Sequence, residues 1–68
     1  MSFKIQIAAA LKAARIKKGL TMQELADKIG VKGTNTISRY ESGKLNLSAD
    51  LIEKICSAMG VNPEIILK

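Results

Sequence analysis

The sequence predicts an all-α fold of five helices, and three observations carry that prediction. Apolar residues make up 47% of the chain but include one Phe, one Tyr and no Trp, so the core must be assembled from Ile, Leu, Val, Ala and Met, which suits close-packed helices. Gly19, Gly30, Gly43 and Gly60 fall at intervals of 11 to 17 residues, each after an apolar-periodic run, where left-handed helix ends belong. Residues suited to opening a helix, Thr21, Ser48 and Asn62, stand before three of the runs. No sheet is expected, and residues 1–68 form one domain, a size that buries roughly 60% of its unfolded surface.

The first helix runs from Phe3 or Ile5 to Lys18, with Ile7, Leu11 and Ala14 on one face and Lys17 and Lys18 at the negative end of its dipole. The second opens with a capping box, Thr21 followed three residues later by Glu24, while Leu20 staples onto Leu25; it ends near Ile29. The third spans Thr34 to Ser42. The fourth opens at Ser48, with Leu47 and Ile52 as a second staple, and turns Leu51, Ile52, Ile55 and Met59 inward before Gly60. The fifth is short, capped by Asn62 with Pro63 at its first position.

Composition also excludes function classes. Without His, and with Cys56 as its one cysteine, the chain lacks a disulfide framework, a Cys-rich metal site and the commonest general base. No nucleophile stands at credible spacing from a base, and no glycine loop cradles phosphate. An enzyme, a cofactor, a metal and a small-molecule ligand are therefore not expected. No run approaches the roughly 20 apolar residues that cross a bilayer, and Met1 to Lys4 leads into an amphipathic helix rather than a signal peptide. A soluble cytoplasmic protein in a reducing compartment is expected.

Residues 1–44 hold nine Lys/Arg against three Asp/Glu, a net +6, whereas residues 45–68 hold two against three, a net −1. A basic first part points to a polyanion, with nucleic acid ahead of an acidic membrane. The connection Gly30 to Gly33 is a tight glycine-containing turn between two short helices, a helix-turn-helix arrangement. On a helical wheel Thr34, Asn35, Ser38, Arg39 and Ser42 share an arc of about 140° opposite Ile37 and Tyr40. Hydroxyls, an amide and a guanidinium with little formal charge suit base edges in the major groove, where Asn pairs with adenine and Arg with guanine. Phosphate contacts are expected around them: Thr21 to Gln23 at the start of the second helix, Lys32, Lys44, Asn46 and, further off, Lys4.

The run "LKAARIKKGLTMQELADKIGV" followed by "TISRYESGK" resembles the helix-turn-helix domain of Cro and cI type phage repressors, the XRE family. The likeness covers nearly the whole chain, through "GLT" at Gly19 to Thr21, "ELA" at Glu24 to Ala26, the Gly30 turn, Thr36 to Lys44, and an apolar fourth helix ending in "AMGV". It implies a compact five-helix, lambda-repressor-like domain that binds operator DNA, usually as a symmetric dimer. By the same resemblance Thr34, Asn35, Ser38 and Arg39 read bases, Ser42 lies near the groove wall, Lys44 and Asn46 contact phosphates, and Arg15 and Glu41 form a partly buried structural ion pair. Two departures stand out. Met22 occupies a position where the family usually has a phosphate-touching Gln, and Gln23 follows it. One extra residue separates Gly30 from Ile37, which either lengthens the turn or starts the recognition helix earlier.

Ile65, Ile66 and Leu67 cannot all face one small core, so they either close it or supply a dimer seam. The leading expectation is a sequence-specific transcription regulator, a Cro-like repressor that binds a palindromic operator as a homodimer. The alternative is an antitoxin or protein-interaction subunit on the same scaffold. An antitoxin needs a segment to cover its toxin, and five helices leave little of this chain for one.

Overall fold

Four of the helix starts are set by a short polar side chain that replaces a missing backbone partner. The computed structural model describes residues 2–67, apart from the side chains of residues 65 and 67. Ser2 Oγ accepts from the Ile5 amide at 3.2 Å and opens α1, Phe3–Lys17. At α2, Met22–Ile29, Thr21 Oγ1 accepts from the Glu24 amide at 3.0 Å while Glu24 Oε1 accepts from the Thr21 amide at 2.9 Å, a complete capping box. Ser48 Oγ accepts from the Leu51 amide at 3.1 Å before α4, Ala49–Met59. Asn62 Oδ1 accepts from the Glu64 amide at 3.0 Å at the start of α5, Pro63–Leu67. The exception is α3, Thr34–Glu41, which begins after Gly33 with no side-chain cap.

The helix ends follow the glycines. Gly30 and Gly60 are themselves the left-handed caps of α2 and α4, whereas Gly19 and Gly43 lie one residue beyond the caps Lys18 and Ser42. Four helices of 8 to 15 residues carry the architecture, and α5 adds a terminal turn of 5 residues. The five-helix expectation thus reduces to four full helices and one short turn. The described residues contain no strand. No helix among them is long and apolar enough to cross a membrane, and no group of them could hold a metal ion.

Packing joins α2 to α3 and α4, and α1 to α3, α4 and α5. Ala26, Ile37 and Cys56 are fully buried where these helices meet, with Leu11, Leu25 and Ile55 around them. Leu20 and Leu47, each one residue before a cap, are half-buried against the core that contains Leu25 and Ile52. Burial pushes the Cys56 thiol pKa up, as expected of a cysteine used for packing. Ile66 is buried in the core, whereas the side chains of Ile65 and Leu67 lie outside the described residues. Apolar residues on α1 extend beyond its inward face, because Phe3, Ile5 and Ile16 remain exposed while Ile7, Ala8 and Leu11 are buried.

Candidate nucleic-acid interface

The outward face of α3 is held by the burial of its opposite face. Ile37 is fully enclosed and Tyr40 is half-buried against the core, so Thr34, Asn35, Ser38 and Arg39 are all exposed on the other side. Residues 30–33 form the turn between α2 and α3, and α3 begins three residues before Ile37. The extra residue is therefore accommodated with Thr34 and Asn35 on the first turn of the helix. Ser42, the C-cap, donates its hydroxyl to the Arg39 carbonyl at 3.0 Å. Its hydrogen is thereby committed to the helix, and its oxygen remains as an acceptor.

At the start of α2 the capping box occupies the amides of Thr21 and Glu24. An α-helix leaves its first N–H groups without intrahelical partners, so the amides of Met22 and Gln23 remain as donors for an anion. Hydrogen bonds with the Thr21 amide and then the Thr21 side chain hold the Glu24 pKa below its ordinary value of 4.5. The Gln23 side chain donates from Nε2 to Asp27 Oδ1 at 2.9 Å along the exposed side of α2. Met22, in the place of the family's Gln, is half-buried against the core. Lys32, Lys44 and Asn46 are exposed on the turns that flank α3.

One ion pair connects these parts. Arg15 on α1 donates from Nε to Glu41 Oε2 at 2.7 Å and from Nη2 to Glu41 Oε1 at 3.2 Å, a fork-on-fork contact with the last residue of α3. Its Nη1 donates to the Leu20 carbonyl at 2.8 Å, just before the cap of α2. The guanidinium therefore fastens the end of α3 and the entrance of α2 to the same helix. A main-chain acceptor such as the Leu20 carbonyl leaves no mark in a sequence.

Gly43 gives a second fixed point. Its φ is +78°, and a Cβ there would meet Ile5 Cγ1 at 2.9 Å and the Ile5 Cα at 3.2 Å. The turn after α3 consequently lies directly on the first turn of α1, an approach that only glycine permits.

A helix-turn-helix family model matches residues 11–66. The chain belongs to the helix-turn-helix family, of the XRE type, a class of DNA-binding regulators of transcription. Solved structures that share its fold include three regulators. The clp gene regulator ClgR from C. glutamicum is 30% identical over 98% of this chain and 86% of its own, with a TM-score of 0.92. The hypothetical transcription factor NHTF from Neisseria is 27% identical over 98% of this chain and 76% of its own, with a TM-score of 0.86. The restriction-modification controller protein C.AhdI from Aeromonas hydrophila is 25% identical over 93% of this chain and 94% of its own, with a TM-score of 0.82. Among curated protein sequences none matches.

Proposed function

We propose that the protein is a Cro-like repressor that binds a palindromic operator as a homodimer, with residues 1–68 acting as one DNA-binding domain in the cytoplasm. The observation that carries the reading is the exposed face of α3, where Thr34, Asn35, Ser38 and Arg39 offer hydrogen bonds without dense charge while Ile37 anchors the helix from behind. That face enters the major groove. Arg39 takes guanine O6 and N7, Asn35 takes adenine, and the Thr34 and Ser38 hydroxyls complete the set. Thr21, Gln23, Lys32, Lys44 and Asn46 grip the backbone on either side, and the Ser42 oxygen lies along the groove wall.

The ion pair between Arg15 and Glu41 is structural in this scheme: it fixes the angle between α3 and the α2 entrance, so base and phosphate contacts engage together. One recognition helix reads only a few base pairs, and a twofold dimer doubles them at half-sites roughly 34 to 36 Å apart. Regulation follows from occupancy, with no chemical step and no cofactor. The printed roles of the structural relatives, a gene regulator, a controller protein and a transcription factor, support this reading.

Selection of the purified protein on a random duplex library, with the bound fraction sequenced, tests the proposal. An enriched palindrome with half-sites one helical turn apart is expected. Binding that falls steeply with salt and enriches no sequence would contradict it and favour a protein partner for the α3 face. Sedimentation at high micromolar concentration, with and without the selected site, tests the dimer; a monomer under both conditions would remove it.

A further inference from the structure

Lys4 is far from the recognition helix in sequence, but the fold brings its turn of α1 against the segment that follows that helix. It lies 11 residues before Arg15, about 16 Å along α1 and only about 20° away around the helix. The side of α1 that reaches Glu41 through Arg15 is therefore the side on which Lys4 projects. Near its N-terminus, α1 meets the segment that follows α3: Ile5 packs on Gly43, and Phe3, Lys4 and Ile7 line one cleft with Asn46, Leu47, Ala49 and Ile52. Of the apolar members of this cleft, Ile7 and Ile52 are buried and Leu47 is half-buried, whereas Phe3 and Ala49 are exposed. Lys4 is left exposed in the same cleft as Asn46, two residues past the exposed Lys44. Segments 2–7 and 42–49 together carry two lysines and no acid. The nearest acidic neighbours in sequence are Glu41, neutralised by Arg15, and Asp50 on the first turn of α4.

We propose that the first turn of α1 is part of the DNA-contacting surface, with Lys4 contacting a backbone phosphate alongside Lys44 and Asn46. Gly43 is the positioning residue, because the close approach of its turn to Ile5 brings the two segments together. The inference rests on the reading that α3 lies in the major groove, and it adds a contact from a helix outside the helix-turn-helix unit. A lysine on phosphate carries no sequence information, so Lys4 contributes affinity and salt dependence equally on every duplex.

Binding of the full chain to its selected site and to a random duplex, across a salt series, tests this with Lys4→Gln and, as a control for net charge, Lys54→Gln on the exposed side of α4. Lys4→Gln is expected to weaken both duplexes by the same factor and to flatten the salt dependence by about one phosphate. Its affinity then falls about 3-fold less than the wild type's between 50 and 200 mM salt. Lys54→Gln is expected to leave the slope unchanged, and thermal melts of both variants should match the wild type. Wild-type affinity and slope in Lys4→Gln, or an equal change in Lys54→Gln, overturns the inference while leaving the major-groove reading intact. A wild type that binds neither duplex overturns both.

Discussion

Arg15 and Glu41, 26 residues apart in the chain, form a two-pronged ion pair whose side chains are only 9% and 4% exposed. Removing one partner leaves the other charged and enclosed, so Arg15→Ala or Glu41→Ala should each cost about 3 to 5 kcal/mol in urea unfolding. The double variant Arg15→Leu with Glu41→Leu should recover much of that loss, since an apolar pair strands no charge. A single variant of wild-type stability would show that the pair lies in a far wetter environment than its geometry implies. Loss of DNA binding in a single variant is to be judged only where the variant is folded.

Gly43 and Gly60 share a left-handed backbone, with φ of +78° and +72°, but only Gly43 lies against a neighbour. Gly60→Ala should cost about 1 to 2 kcal/mol from backbone conformation alone. Gly43→Ala should cost more, because its Cβ must displace Ile5 as well. Equal unfolding free energies for the two variants would contradict the tight contact between α1 and the turn after α3.

The capping box predicts an acid-side loss of stability. The folded-state pKa of Glu24 is depressed below 4.5 by its hydrogen bonds to Thr21, so its contribution is complete above the unfolded value and is lost as pH falls through the folded one. The stability gap between wild type and Glu24→Gln should therefore be constant near neutrality and close as pH drops below 4.5. A gap that widens with acid would reverse the sign of the argument. Thr21→Ala removes the side-chain half of the box and should cost about 1 kcal/mol.

Cys56 should resist alkylation in the native protein. It is fully buried and its thiol pKa is raised, so both access and thiolate fraction are low. Modification should track unfolding, with rapid labelling in denaturant and slow labelling without it. Fast labelling of the folded protein would show that α4 opens locally.

These relationships were not equally legible in the sequence. Thr21 with Glu24, Ser48, Gly30 and Gly60 act on residues within one turn of themselves, so the bounds of α2 and α4 could be read locally. The start of α1 was less clear, although Ser2 supplied the signal, because apolar residues on more than one face blurred its pattern. Nothing marked Gly33 as the uncapped start of α3, since a glycine before a helix offers no side-chain partner. Contacts across the fold were the least legible: Gly43 on Ile5 depends on how helices pack, and only family resemblance linked Arg15 to Glu41. The polar arc on α3 could be read from periodicity, but its partner depends on what lies opposite it in a complex.

Arg39 gives the most direct test of the central claim that α3 reads bases. It is exposed, and its side chain has no role in the core, so Arg39→Ala should fold like the wild type. Affinity for the selected site should fall by about 1 to 3 kcal/mol while affinity for random duplex falls far less, so that choice among sequences is relaxed. Equal losses on both duplexes would make Arg39 a phosphate contact, and no loss on either would contradict the placement of α3 in the major groove.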